Sequence, residues 1–225
     1  MLCILLLFFL SLGFLLFTEY RKSMRKFHLF FKTLTSAGFL AMAVFLWVQH
    51  RETLPVAYAL PLCIALLFCL FGDFMLSVKT GTAQSLWFVL GVAFFMLAHG
   101  VFFLAFGALS PITWVEILRA LLVALVTSML AKFPCLDMGD KKPLLYIYSL
   151  FLGLLLSKGV SLVDSLGVSQ LTVQTLIACC LFYLSDIILL FILFMDKKVK
   201  CLPFINLSTY YLATLLLAMT LSHVA

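Results

Sequence analysis

Residues 55–77 read PVAYALPLCIALLFCLFGDFMLS, and this stretch decides the fold class. It carries one charged side chain, Asp73, in a run long enough to cross a bilayer core, which takes about 20 apolar residues as a helix. Lipid offers no hydrogen-bond partner, so the backbone of such a run must pair with itself, and only helices and closed barrels do that. Reading outward, seven further apolar runs flank it at 1–18, 31–48, 84–108, 111–131, 143–160, 170–195 and 203–222, separated by short breaks carrying charge, Pro or Gly. The whole chain follows suit: 65% of its 225 residues are hydrophobic and 11% charged, with a mean hydropathy of +1.24. A soluble domain carries about 25% charged residues, so lipid must be the solvent. The expectation is an all-α, polytopic membrane bundle of eight transmembrane helices forming a single transmembrane domain over 1–225. The first run lacks a basic n-region and an A-x-A-like site before the basic stretch, so it is expected to be a retained span and not a signal peptide.

Charge placement gives an orientation. The odd-numbered breaks hold Arg21, Lys22, Arg25, Lys26, Lys79, Lys132, Lys141, Lys142, Lys197, Lys198 and Lys200, 11 in all; the even-numbered side holds 3, Arg51, Arg119 and Lys158. Positive loops stay in the cytoplasm, which puts both termini outside. The net charge of +6 sits at helix ends and in loops, where it suits anionic lipid headgroups and not nucleic acid. The short loops and termini point to a bacterial inner membrane, with the endoplasmic reticulum as the alternative. The seven Cys fall mostly in apolar runs without CxxC spacing or His neighbours, as small packing residues do.

An ionisable group inside lipid is costly unless paired or wet, so each one is a candidate for function. Asp73 and Asp186 lie in the inner halves of the third and seventh runs, 113 positions apart, half the chain. The segments LFCLFGD (67–73) and LFYLSD (181–186) resemble each other, which raises the expectation of two parallel four-helix repeats with a site between them. Lys32, Tyr146, Tyr148, Asn206 and Tyr210 share the depth of the two acids, and His99 lies deeper; Asn206 and Tyr210, four apart, lie on one helix face. Two carboxyls facing one dry cavity divide acid and base roles, because like-charge repulsion keeps one of them protonated. Glu116 and Arg119, three apart, read as a surface or structural pair. No GxSxG elbow is present, and only one of the four His lies deep in a helix, too few for a three-His zinc site.

The runs Phe31-Lys32-Thr33-Leu34-Thr35, Phe71-Gly72-Asp73-Phe74-Met75-Leu76, Phe95-Met96-Leu97-Ala98-His99, Tyr183-Leu184-Ser185-Asp186 and Tyr210-Tyr211, in this order, resemble the YhhN family of membrane proteins, which includes the transmembrane lysoplasmalogenases. The likeness covers nearly the whole chain; one departure is Thr33 where the family often has Pro after the lysine. It implies hydrolysis of the vinyl ether of a lysoplasmalogen to a fatty aldehyde and glycerophosphocholine or glycerophosphoethanolamine, without metal or cofactor. Asp73 and Asp186 would be catalytic. Lys32, His99, Tyr146, Ser185, Asn206, Tyr210 and Tyr211 would bind substrate or support them, with Lys32 holding either a carboxylate or the lipid phosphate. Two rival classes use the same residues: an ion- or proton-coupled transporter, and a zinc-dependent hydrolase of the ceramidase type, which chelator sensitivity would separate. The orientation is checked independently of function: cysteines placed at 51 and 141 should react with a membrane-impermeant thiol reagent from opposite faces, and labelling from the same face would overturn it.

Overall fold

The computed structural model describes residues 1–78, 86–130, 132–133, 136–195 and 199–224. Of the residues used above, Lys79, Cys135, Lys197 and Lys198 lie outside them. The described chain is helical: α1 (Leu2–Tyr20), a 3-10 turn (Lys22–Phe27), α2 (His28–Gln49), α3 (Val56–Val78), α4 (Leu86–Gly107), α5 (Trp114–Leu130), a 3-10 turn (Gly139–Lys141), α6 (Lys142–Leu166), α7 (Gln170–Phe194), α8 (Leu202–Met219) and the short α9 (Leu221–Val224). Seven of these segments are long and apolar enough to cross a membrane. The chain is a multi-pass integral membrane protein. The eighth long helix, α5, has 17 residues. At 1.5 Å per residue it rises about 25 Å, short of the roughly 30 Å hydrocarbon core.

Local sequence sets the helix ends. Pro143 and Pro203 fall in the first turns of α6 and α8, where a missing N–H removes no helical bond. Gly167, at φ 76°, stops α6 in a conformation that favours glycine. Ser169 and Thr172 then form a reciprocal capping box that starts α7.

The helices α2, α3, α4, α6, α7 and α8 form a closed ring, each packed on the next, with α2 against α8 completing it. Helix α1 packs outside on α2 and α8, and α5 packs outside on α6. The ring's interior is apolar and aromatic; Phe39, Tyr58, Phe102, Phe106, Phe182 and Tyr211 are wholly buried there. Along α5 the large side chains Leu118, Leu121, Leu122 and Leu125 face outward, as expected of a lipid-facing surface.

Two expectations are corrected where α5 begins. Glu116 does not pair with Arg119. It is buried and pairs with Lys158, whose Nζ lies 2.9 Å from Glu116 Oε1 and also donates to the carbonyls of Ser110 (2.9 Å) and Pro111 (3.2 Å). The other carboxylate oxygen accepts from the Thr113 N–H. Arg119 instead pairs with Asp164 at the exposed edge, 2.8 Å away. Lys158 was counted with the outer loop charges because the apolar run ends near it, but α6 continues to Leu166 and turns the lysine inward. The pair clamps α5 and the turn before it onto α6, and Gly153 lets the two helices close: a Cβ there would lie 2.7 Å from the Ala120 carbonyl oxygen.

Removing one partner of a buried pair strands the other charge, at a cost of about 3–5 kcal/mol. Glu116→Leu or Lys158→Met alone should therefore sharply lower the melting temperature in detergent, while the double variant recovers most of the loss. Equal melting of single variants and wild type would show that the clamp contributes nothing.

Candidate active site

Helix α2 presents Lys32 and Ser36, one turn apart, to α3. Asp73 on α3, 2% exposed, receives Ser36 Oγ–H at 2.6 Å and Tyr210 O–H from α8 at 2.7 Å, both on Oδ2, while Lys32 Nζ stands 3.4 Å from Oδ1. Tyr211 Oη lies 3.1 Å from both Ser36 Oγ and the Lys32 carbonyl oxygen, with one hydrogen to give to either, and so backs both α2 residues. Three donors, one of them cationic, surround a carboxyl with almost no access to solvent. These hydrogen bonds and the adjacent positive charge replace part of the hydration that burial removes from the carboxyl.

Asp186 on α7 is served differently. Tyr148 O–H from α6 donates to its Oδ2 at 2.7 Å, and His99 Nε2 from α4 faces the same oxygen at 3.5 Å. No lysine or arginine pairs with it among the described residues. One residue earlier, Ser185 is tied to α8: Asn206 Nδ2–H donates to its carbonyl (2.7 Å) and its hydroxyl (2.9 Å).

Two cavities meet at Asp186. The first, of about 320 Å³, is lined by Lys32, Asp73, Ser185, Asp186, Asn206 and Tyr210, with Leu76, Phe95, Leu189 and Leu207 as its apolar wall. It joins both carboxyls to one space. The second lies between α4, α5, α6 and α7. Its walls are mostly Leu, Ile, Val and Phe, with Thr127, Ser128, Tyr146, Tyr148 and Ser149 among them. Asp186, Leu76, Phe95 and Leu189 line both.

A sequence model of the YhhN family matches residues 27–221, and every site residue lies within that span. The chain belongs to the YhhN family. No curated protein and no solved structure matches it.

The structure thus brings Lys32, Asp73, Asp186, Ser185, Asn206 and Tyr210 to one cavity of this YhhN protein, with His99 and Tyr211 directly behind the two carboxyls. Tyr146 lines the apolar cavity and bonds to neither acid. The hydroxyl that reaches Asp186 belongs to Tyr148, and the one beside Lys32 that reaches Asp73 belongs to Ser36. Sequence reasoning passed over Ser36, although its place one turn after Lys32 on the same face was a usable signal. Cys69, one turn before Asp73, is also buried and within electrostatic reach of both carboxyls. Among the described residues no three His, Cys, Asp or Glu side chains come together as a metal site.

Gly72 sets the wall's position. A Cβ there would lie 2.7 Å from the Phe95 ring, whose residue lines both cavities. Gly72→Ala should cost about 1–3 kcal/mol through overpacking, read as a lowered melting temperature. Gly13→Ala, where a Cβ meets nothing within 4 Å, should be neutral or slightly stabilising.

Proposed function

We propose that this protein hydrolyses the vinyl ether bond of lysoplasmalogens, releasing a fatty aldehyde and a glycerophospho-alcohol. The observation that carries the reading is the position of Asp186 at the junction of a polar and an apolar cavity. A lysoplasmalogen has its reacting bond at the same kind of junction, where a hydrocarbon chain meets a glycerol headgroup. With the chain in the apolar cavity and the glycerol beside Asn206 and Lys32, the vinyl ether lies against the Asp186 carboxyl.

The proton and electron accounts close on the two acids. Protonated Asp186 gives its proton to the β-carbon of the vinyl ether; the π pair forms the C–H bond and an oxocarbenium ion remains. Asp73, held as a carboxylate by Lys32, Ser36 and Tyr210, steadies that cation and takes a proton from the water that adds to the α-carbon. The hemiacetal then collapses. Its hydroxyl proton returns to Asp186, and the C–O pair leaves on the glycerol oxygen, which takes the proton from Asp73. One water is consumed and both acids are restored. The role of Lys32 in this scheme is to hold the carboxylate 3.4 Å away.

We also propose that α5 completes eight crossings, with the basic odd loops in the cytoplasm. The two halves are parallel repeats in this reading. Each Asp stands on the third helix of its half and takes a hydroxyl donor from the second, Ser36 for Asp73 and Tyr148 for Asp186. Each is then met by a residue from the fourth helix of the opposite half, Tyr210 and His99.

Purified protein given a lysoplasmenylethanolamine should release aldehyde. Asp73→Asn and Asp186→Asn should each lower turnover at least about a hundredfold, the usual worth of one acid/base group, without loss of folded protein; Lys32→Met should lower it similarly. Near wild-type aldehyde release by both Asn variants would make the carboxyls structural. Substrate uptake into proteoliposomes without product would favour transport instead.

A further inference from the structure

His99 is wholly buried, and its two ring nitrogens are treated very differently. Nδ1 contacts the Phe95 carbonyl oxygen one turn earlier on α4. A carbonyl only accepts, so Nδ1 carries a hydrogen and the tautomer is set. Nε2 makes no hydrogen bond among the described residues, yet it points at Asp186 Oδ2 from 3.5 Å. A buried polar atom without a partner calls for a cause. The ring is wedged edge-on between Tyr148 and Phe182, centroids 5.5 and 4.7 Å away, so it has no freedom to turn elsewhere.

With Nδ1 protonated, a neutral ring turns the lone pair of Nε2 toward Asp186. A carboxylate there would set lone pair against lone pair. An imidazolium would bond the carboxylate at about 2.7–2.9 Å, as Lys158 does Glu116, whereas Nε2 stands 3.5 Å from Oδ2 without a hydrogen bond. A neutral carboxyl avoids the repulsion and does not need that bond. In the neutral acid Oδ2–H would face Nε2 from 3.5 Å, too far for a full hydrogen bond, while the same oxygen accepts from Tyr148.

We propose that His99 is a positioning residue that holds Asp186 in its protonated form, with the acid proton stored against Nε2 and released to the substrate. The proposal rests on the vinyl ether reading only for the destination of that proton. The long contact keeps the proton loosely held. Once it has gone to the substrate carbon, the exposed lone pair of Nε2 favours its return from the hemiacetal hydroxyl. The remaining titratable and charged groups facing the pair are Tyr148 from α6, Cys69 and Asp73 from α3, Tyr210 from α8 and Lys32 from α2 across the shared cavity.

The test reads the proton directly, without turnover. Infrared spectra of the purified protein in detergent should contain a protonated-carboxyl band that disappears in Asp186→Asn. His99→Phe keeps the ring packing and removes the acceptor for the neutral acid, so the band should be lost at a pH about one unit lower than in wild type. Tyr148→Phe, from the opposite side of the same ring, removes a donor that favours the carboxylate, and the band should persist to higher pH. A merely structural His99 would lower stability in both variants without opposite shifts. Histidine 15N spectra of the unmodified protein give the second measurement: Nδ1 protonated and Nε2 bare at neutral pH. An imidazolium at His99, or a band whose pH response His99→Phe leaves unmoved, overturns the proposal. In turnover, His99→Phe should lower kcat at least about tenfold with KM little changed and move its pH optimum toward acid. If the band behaves as expected but wild type releases no aldehyde, the proton store stands and the vinyl ether reading fails.

Discussion

A carboxyl group inside lipid must be surrounded or neutralised, and that requirement organises this bundle. Two such groups, Asp73 and Asp186, lie inside one ring of helices, and between them they draw polar side chains from α2, α4, α6 and α8. Lipid chains are as apolar as leucine, so helix burial alone gives little reason for one ring order over another. Polar bonds between helices are directional and supply part of the missing specificity. The Lys32, Ser36 and Tyr210 bonds to Asp73 fix α2 and α8 against α3, and the Asn206 bonds to Ser185 fix α8 against α7. The start of α5 repeats the device with Lys158 and Glu116, but there the ammonium's three hydrogens and both carboxylate oxygens are used within the protein. Satisfied groups hold structure; the groups around the two cavities keep open faces.

The parts of this arrangement that were legible in the sequence are those where a residue contradicts its surroundings. Asp73 and Asp186 are charges in runs otherwise free of them, and Lys32, Asn206 and Tyr210 share their depth, so their meeting in one cavity follows from the expense of leaving them in lipid. Ser36 was illegible, and Tyr148, named with Tyr146, could not be told from it, for the opposite reason. A serine can bond its own helix backbone at little cost, as Ser36 Oγ, 3.0 Å from the Lys32 carbonyl, could if its hydrogen were not given to Asp73, and tyrosines gather at membrane interfaces whatever the function. Choosing Tyr148 over Tyr146 requires the rotation of α6 about its axis, which the apolar pattern of a helix with few polar residues defines poorly. Lys158 was misread because hydropathy counts a charge near the end of an apolar run as a loop charge. Only the length of α6, extended to Leu166, shows that it points inward. The shortness of α5 has a similar origin: the run over 111–131 is long enough, but Pro111 and the turn held by Glu116 take its first residues out of the helix.

The two acids are alike in residue type and share a cavity, so their chemistry differs only through what surrounds them. Asp73 has a cation and two hydroxyl donors, all favouring negative charge. Asp186 has one hydroxyl donor and a histidine nitrogen whose lone pair disfavours negative charge. Two like charges around one dry space repel, and the environment decides which group keeps the proton. In the proposed scheme the proton belongs to Asp186, the acid that also borders the apolar cavity. This follows because Lys32 stands on α2, beside α3 and α8, and the apolar cavity opens on the other side of the ring, between α4, α5, α6 and α7. In that scheme the ionised group stands where polar partners converge and the neutral one where a hydrocarbon chain can lie, so the order of helices around the ring would separate the base from the acid.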